Sequence, residues 1–442
     1  MCYGLPGDGK PDALFVISLE TGEKRQLTDP QFPAAGDSNP AVSPDGSWLV
    51  FRRNASALYN GELYRLPLGR DLTAVGEPQR LTPATLDAEY PTWIPGSKEI
   101  LFSAKGGLWR LVVAGETTPA RLPFVGEYGL MPVVSPPQPG RPPRLVYVRS
   151  FADDNIWRVE TPAPGATASS PPVVSISSTR LEGMPQLSPD GRRVAFWSDR
   201  SGDWEIWLAD LDGANAVQLT FMGARAAGYP HWSPDGDRIV FHSNFDGQWE
   251  VYVVPAAGGK PRNLTTHPAT DSFPSFSSDG RCIYFNSTRT GEFRIWKVPA
   301  SGGDAVQVTT SVGYAPLESP DGAYIYYVET LDGPSALWRL PTAGGVPVKV
   351  LEGVVLANFV VLKGGIYYID RPSGDGGTHY FDRPSGETRL QYLDFATQRS
   401  TTVSRNLGDV DVPLTASADG RTILYHRLDS SVNDLMLVEN FR

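Results

Sequence analysis

Cysteine and long apolar runs are almost missing from this chain. Only Cys2 and Cys282 occur among 442 residues, which excludes a disulfide scaffold and a cysteine-rich zinc module. No run of eighteen apolar residues occurs, so the sequence predicts no membrane span. The N-terminus has no basic region followed by an apolar stretch, so no export signal is predicted.

Basic clusters are missing as well. Lys and Arg total 39 against 49 acidic residues, which gives a formal net charge of −10, and no segment is dense in basic side chains. A phosphate backbone is bound by clustered positive charge, so we expect no nucleic acid among the partners.

The usual signatures of catalysis do not occur. The five histidines lack metal-binding spacing and are scattered over the chain: His231, His242, His267, His379 and His426. The motifs of a serine nucleophile elbow, a P-loop and a dinucleotide-binding turn are not found. We therefore expect no catalytic residue, no bound metal and no cofactor, and the chain is not expected to be an enzyme.

What the chain does contain is Gly (45 residues), Pro (40 residues) and a repeat. Ser-Pro-Asp-Gly or a degenerate copy recurs at 43–46, 188–191, 233–236, 277–280, 319–322 and 417–420. A period of about 40–50 residues with short strands is typical of β-propeller blades.

Each repeat reads as four short strands. In one copy a short segment, 229–233, precedes the turn. RIVFHS (238–243) follows it as a strand in which apolar and polar residues alternate, and WEVYVV (249–254) and PRNLT (261–265) are the third and fourth strands. Trp stands at one position of the third strand in five copies, at residues 109, 157, 207, 296 and 338. We expect these rings to fill the space between neighbouring sheets, because many equivalent rings suit packing better than ligand stacking.

The repeats predict an all-β fold made of one closed β-propeller domain over 1–442. Eight four-stranded antiparallel blades are favoured, because four to eight is the usual range. Nine blades stay possible, because a literal count of the repeats gives nine. The expected units are 39–82, 90–124, 130–178, 183–220, 229–265, 273–310, 315–352 and 357–404, with a closing blade of 412–442 and 13–28. We expect a monomer, since ring closure leaves no open sheet edge.

The Asp of each turn recurs at residues 45, 190, 235, 279, 321 and 419. Asp can accept a hydrogen bond from its own backbone two residues on, and Gly adopts positive φ at low cost. The repeat therefore favours turn formation by these carboxylates over metal binding.

The pattern x-P-x-[WF]-S-P-D-G, followed by a strand ending in F-x-S, a [WY]-x-[IV]-[WY] strand and a final Leu-Thr, resembles the TolB-type propeller repeat. Leu27-Thr28, Leu81-Thr82, Leu219-Thr220 and Leu264-Thr265 fit its fourth strand. The resemblance implies a periplasmic protein that binds protein partners, such as peptidoglycan-associated lipoprotein, although a cytoplasmic location stays open. The C-terminal residues 434–442 resemble the end of propellers in CadC-like winged-helix regulators.

The loops that lead into the first strand of each repeat carry acidic and aromatic residues. These are Asp37, Glu89, Tyr90, Glu182, Tyr229, Asp271, Phe273, Tyr314 and Asp411. In a propeller such loops converge on one mouth of the central channel, where acids and aromatic rings would suit a basic peptide, a cation or a sugar-like ligand. The alternative is that these are ordinary solvated loop residues.

The sequence thus favours a non-catalytic protein-interaction or ligand-sensing propeller that binds its partner at these loops. Two alternatives stay open. One is a propeller enzyme that acts on glycans or peptides, and the other is the sensor part of a transmembrane CadC-like transcription regulator.

Overall fold

The chain is all-β in a computed structural model. The structure describes residues 2–3, 11–31, 36–54, 61–83, 86–96, 98–114, 118–136, 138–139, 141–167, 169–223, 226–331, 334–371 and 387–441. The described residues form nine antiparallel sheets. Among them, no helix has the length and hydropathy needed to cross a membrane.

The chain divides into two compact units, which are Met1–Phe151 with Ser431–Arg442 (unit 1) and Ala152–Ser430 (unit 2). Two long strands, β13 (Leu145–Glu160) and β36 (Thr422–Val438), have residues in both units.

Unit 1 contains four sheets. The first three consist of strands in sequence order: β1–β3 (Cys2–Tyr3, Leu14–Ile17, Lys24–Gln26), β4–β7 (Gly36–Val42, Trp48–Asn54, Gly61–Pro67, Gln79–Arg80) and β8–β11 (Glu89–Trp93, Glu99–Ala104, Gly107–Val112, Ala120–Arg121). The fourth sheet has the order β12 (Gly129–Val134), β13, β36.

Unit 2 contains five sheets of four consecutive strands. They are β15–β18 (Glu182–Leu187, Arg193–Ser198, Glu205–Asp210, Val217–Gln218), β19–β22 (Ala227–Trp232, Arg238–Ser243, Glu250–Pro255, Arg262–Asn263), β23–β26 (Asp271–Phe276, Cys282–Ser287, Arg294–Pro299, Val306–Gln307), β27–β30 (Tyr314–Glu318, Tyr324–Val328, Pro334–Pro341, Val348–Val355) and β31–β34 (Phe359–Val361, Gly365–Asp370, Arg389–Asp394, Arg399–Arg405). A sixth set of strands has the order β35 (Asp409–Ala416), β36, β13, β14 (Val173–Ile176). It belongs to the same five-stranded sheet as β12, because β13 and β36 are shared.

The sixth set corrects one expected pairing. Residues 412–442 were expected to pair with 13–28, but β36 pairs with β13, and β2 and β3 form a separate sheet with β1. The expected unit 130–178 is also divided, because β13 pairs with β12 near its start and with β14 near its end. The strands of 13–28 themselves are confirmed as β2 and β3.

The Ser-x-Asp-Gly segments form the predicted tight turns. In the turn at 188–191, Ser188 Oγ donates to Asp190 Oδ1 at 2.6 Å, and the Arg192 N–H donates to the same oxygen at 3.1 Å. The same two bonds recur at Asp45, Asp235, Asp279, Asp321 and Asp419. These hydrogen bonds lower the pKa of each of the six carboxyl groups. The predicted role as turn formers is confirmed.

The repeated tryptophans pack between sheets, as the sequence predicts. Each of the five rings is partly buried against a cluster of apolar side chains. Trp207, for example, packs on Ile156, Val194 and Phe196, which come from two different sheets of unit 2. Arg200 lies over the same ring, 5.7 Å from its centroid.

Neighbouring sheets of unit 2 share apolar contacts in sequence. Ile206 of β17, for example, packs with Phe241 of β20. The other pairs from neighbouring sheets that share a buried cluster or a ring contact are Val251 with Phe285, Ile295 with Tyr327, Tyr326 with Phe395, Leu390 with Tyr425, and Leu424 with Phe196. These contacts position the ends of the first strands, where the candidate residues lie.

Candidate binding site at the rim of the first strands

The strand register gathers one set of residues at one end of each sheet. Glu182, the first residue of β15, lies opposite Ser198 at the end of β16, and Ser198 lies opposite Glu205 at the start of β17. The Asp-Gly turn closes the other end of the same sheet. We call the end at which the first strand of a sheet begins the rim.

Three of the predicted acidic residues are buried at the rim as partners of arginines. Glu182 accepts from Arg200 at 2.9 Å and Asp271 accepts from Arg289 at 2.7 Å in unit 2. Asp37 accepts twice from Arg53, at 2.7 and 2.8 Å, in unit 1. The side chains of these three acids are fully buried.

Each of these arginines also lies over aromatic rings of its own sheet. Arg200 covers Phe196 and Trp207, and Arg289 covers Phe285 and Trp296. A guanidinium between a buried carboxylate and ring faces satisfies both charge and packing. The recurring acid and arginine therefore hold the start of the first strand against the second and third strands.

The two remaining predicted acids are also partnered. Glu89 accepts from Arg52 at 2.7 Å in unit 1, and burial raises the pKa of Glu89. Asp411 is buried in unit 2, and the Val412 N–H donates to its Oδ1 at 2.7 Å.

Asp411 lies opposite a buried histidine of β36, His426. His426 Nε2 lies 3.3 Å from Asp154 Oδ1. Burial opposes protonation of His426, but Asp154 and Asp411 outweigh burial and raise its pKa. The rings of His426 and Trp197 are nearly perpendicular, with 6.2 Å between centroids, and the Trp197 ring stacks on Trp204 with 4.9 Å between centroids.

The predicted aromatic residues Tyr229 and Phe273 contact each other at the rim of unit 2. Their ring centroids lie 4.6 Å apart, and both side chains are buried. Each occupies a bulge of its first strand with positive φ, 54° for Tyr229 and 51° for Phe273. The bulge therefore directs both rings into one cluster.

His242 completes this cluster. Its Nδ1 accepts from the Phe273 N–H at 3.1 Å, and its ring centroid lies 4.8 Å from that of Trp249. Burial lowers the pKa of His242 to about 3, so the imidazole is neutral at pH 7. A neutral, buried ring that accepts from the backbone is a structural element.

The other two predicted aromatic residues are half-buried. Tyr90 lies in unit 1 and Tyr314 in unit 2, where the Tyr314 ring lies 5.1 Å from that of Phe293. A binding role for the nine predicted residues stays a prediction, and the structure places most of them in buried contacts within each unit.

Sequence reasoning missed a second acid at the rim. Burial, reinforced by the Asp271 carboxylate, raises the pKa of Glu250 to about 8. The Thr265 hydroxyl donates to Glu250 and accepts the Val251 N–H at 2.9 Å. Glu205 and Thr220 repeat the arrangement in the preceding sheet. The recurrence of Glu before the third strand and of Leu-Thr after the fourth is the signal that could have indicated it.

Sequence reasoning also missed the aromatic side chains that unit 2 exposes near the rim. Trp204 is 39% exposed and Phe245 is 47% exposed, both in turns between second and third strands. Phe221 is 77% exposed in the loop that follows Leu219-Thr220. Exposed aromatic rings on a rigid frame are suited to protein contacts.

No group of three His, Cys, Asp or Glu side chains in the described part of the chain could hold a metal ion. His231 is half-buried, and its Nδ1 lies 3.0 Å from the Trp232 carbonyl oxygen. Burial lowers the pKa of His231 to about 4.

Sheets of four antiparallel strands with recurring Ser-x-Asp-Gly turns are typical of propeller-type repeat proteins. Residues 171–345, which lie within unit 2, match the model of the TolB beta propeller domain. The predicted resemblance to TolB-type propellers is thereby confirmed, whereas the resemblance of residues 434–442 to CadC-like regulators stays a prediction.

Individual proteins resemble the chain at low identity. An uncharacterized protein of Agrobacterium fabrum is 27% identical over 169 residues, which cover 30% of this chain and 58% of that relative. The chain thus matches less than two thirds of the length of this curated relative. Among solved structures, TolB from Acinetobacter baumannii is 15% identical, with a TM-score of 0.44 and coverage of 78% of this chain and 81% of that chain. The putative TolB from Agrobacterium tumefaciens is 20% identical, with a TM-score of 0.34 and coverage of 80% and 94%.

Proposed function

We propose that the chain is a non-catalytic binding module, and that unit 2 recognises a protein or peptide through the aromatic side chains exposed near its rim. The observation that carries this proposal is the contrast between buried charges that pair with each other and exposed Trp204, Phe221 and Phe245. Paired carboxylates hold the loops in place, and aromatic rings offer the contact area.

The arrangement of the six sheets in unit 2 supports a closed ring of six blades. Apolar contacts link each sheet to the next, and Leu424 of the sixth set packs with Val194 and Phe196 of the first. β35 and β36 would supply the first two strands of the closing blade, and β13 and β14 the last two. This proposal replaces the prediction of eight blades in one ring, because five complete sheets and the part of the sixth set that links them lie in Ala152–Ser430.

The partner is proposed to dock by apolar and aromatic contacts. A basic peptide was one of the ligands predicted from the five acids and the aromatic residues of these loops, but Asp37, Glu182 and Asp271 each already pair with an arginine. A ligand cation would have to displace a buried guanidinium, which costs more than an exposed charge contact returns. Location in the periplasm and a monomeric state stay predictions from the resemblance and from ring closure.

The test is selection of binding peptides from a random display library on the purified full chain. Affinities are then measured by fluorescence anisotropy for the wild type and for Trp204→Ser combined with Phe245→Ser. Loss of aromatic hot spots costs about 2 kcal/mol or more, so the double variant should bind at least about tenfold more weakly.

The matched control is Val217→Ser combined with Val306→Ser, at two exposed apolar positions in fourth strands. This control should leave peptide affinity unchanged. Equal binding by the Trp204 and Phe245 double variant would refute the proposed surface. Cleavage of the peptides, seen by mass spectrometry, would refute the non-catalytic proposal and favour the enzyme alternative.

A further inference from the structure

The fourth sheet of unit 1 has no fourth strand among the described residues. The segment of β36 that lies in unit 1, from residue 431 to 438, pairs with β13 on one side only, while β35 pairs with the earlier part of β36. In the two preceding sheets of unit 1, β7 and β11 occupy the corresponding place. An unpaired edge is a template for strand addition.

The open edge corresponds to the third strand of the other sheets. Arg149 forms an ion pair with Asp434 at 3.1 Å. This pair takes the place of Ser198 and Glu205, which lie opposite each other in the sheet of β15–β18. Leu435 and Leu437 therefore correspond to Ile206 and Leu208. Ile206 and Leu208 are buried, whereas Leu435 is 77% and Leu437 is 54% exposed.

The same sheet has an uncovered apolar face. Met131 and Val133 of β12 are 47% and 60% exposed. Met436 and Val438, on the opposite face of β36, pack against the buried cluster of Leu108 and Tyr147. A sheet with one buried and one exposed apolar face is unusual for a surface that meets only water.

The other sheets show which chemistry fits the missing position. In five of them a residue near the start of the strand that precedes the last one donates its N–H to a threonine hydroxyl at 2.9–3.0 Å, from Leu14, Leu63, Ile206, Val251 and Ile295 to Thr28, Thr82, Thr220, Thr265 and Thr309. The residue before that threonine returns its own N–H to the carbonyl of the same third-strand residue.

The apolar residue of this pair also has a defined place. Leu219 packs with Ile206 and Leu208 in one buried cluster, and Leu264 packs with Val251 and Val253 in another. An added strand would therefore place its leucine beside Leu435 and Leu437, and its threonine hydroxyl at the Leu435 N–H.

We propose that residues 431–438 bind an extended segment of a partner protein that carries a Leu-Thr pair and adds to the sheet as its fourth strand. The backbone of β36 supplies affinity, and Leu435 and Leu437 supply selectivity for the apolar residue. This surface lies in unit 1 and is distinct from the aromatic rim proposed for unit 2.

The experiment measures binding of a labelled nine-residue peptide with the sequence of residues 214–222, ANAVQLTFM, to the full chain by fluorescence anisotropy. The control peptide has Ala in place of the Leu and the Thr. We expect saturable binding of the first peptide, at least about tenfold weaker binding of the control, and amide exchange protection within 431–438.

Variants of the protein separate this edge from other surfaces. Leu435→Lys combined with Leu437→Lys should abolish binding, because lysines on an edge strand oppose strand addition. Both positions are exposed, so the melting temperature should be unchanged. Val306→Lys, at an exposed position of the already paired β26, should bind like the wild type.

Three results would overturn the proposal. They are the absence of peptide binding, equal binding of the control peptide, and self-association of the wild type that the Leu435 and Leu437 variant abolishes. The last result would assign the edge to a second copy of the chain.

Discussion

At the scale of single residues, the charges of the rim serve the fold. The carboxylates of Glu182, Asp271 and Asp37 are buried, and each forms an ion pair with an arginine that lies over aromatic rings. Removing one partner leaves the other charge buried and unpaired, which costs more than the pair contributes.

Asp271→Ala should therefore lower the free energy of unfolding by about 3 kcal/mol, since Arg289 would be left without its carboxylate. Urea denaturation followed by tryptophan fluorescence measures this value. Asp304→Ala, at an exposed position that follows the third strand of the same sheet, is the control and should change stability by less than about 0.5 kcal/mol. Equal effects of both variants would mean that the ion pair does not stabilise the fold.

Glu250 should make stability fall as pH rises. Its pKa is raised from 4.5 to about 8 in the folded chain, so the folded state holds a proton that the unfolded chain has lost between these values. The stabilisation is fully present below pH 4.5 and is lost as pH rises through 8. Glu250→Gln should thus gain melting temperature over the wild type at pH 8 and less so at pH 5.

Differential scanning calorimetry at both pH values measures this difference. Glu292→Gln, at an exposed position of the next sheet, is the control and should show no such pH-dependent gain. A constant offset between Glu250→Gln and the wild type at all pH values would contradict the shift.

At the scale of elements, each repeat contains turns that depend on neighbouring residues and tryptophans whose packing depends on other sheets. The turns form from five neighbouring residues, because the Asp carboxylate accepts from the Ser hydroxyl and from the backbone two residues on. The tryptophans of the third strands instead depend on neighbouring sheets. Their burial is a property of packing, although their regular spacing made that packing predictable.

Trp207→Ala should lower the free energy of unfolding by about 3 kcal/mol through lost packing on Ile156, Val194 and Phe196. Chemical denaturation measures the loss. Trp204→Ala, which removes a ring that is 39% exposed, is the matched control and should cost clearly less. A silent Trp207→Ala would show that the ring does not join the two sheets.

At the scale of the whole molecule, the chain forms two compact units, each with its own apolar clusters. Units with separate cores need not unfold together. The long strands β13 and β36 link the units through the chain, and their residues contribute to sheets in both.

Calorimetry of the full chain should therefore resolve two unfolding transitions. The chain 152–430 expressed alone should show one of them, with an unchanged melting temperature within a few degrees. Trp207→Ala should lower only that transition, because its contacts all lie in unit 2. A single two-state transition of the full chain would contradict independent units.

Only part of the candidate site could be predicted from the sequence. The recurrence of acids at or near the start of five first strands was visible, and so was their position at one end of the sheets. Their arginine partners lie 16 or 18 residues further on, at positions such as Arg53, Arg200 and Arg289, where nothing in a linear pattern distinguishes a buried partner from a solvated side chain. Exposure of Trp204 and Phe245 likewise depends on neighbouring loops.

The sequence by itself determined the strands, the turns and the repeat, because proline, Asp and Gly restrict the backbone locally and alternating apolar residues select one face of a strand. Only the tertiary structure decided the division into two units and the pairing of β13 with β36. Asn155 donates to Asp429 across 274 positions of the chain. Such contacts form when sheets close on each other, and no local preference of either residue encodes them.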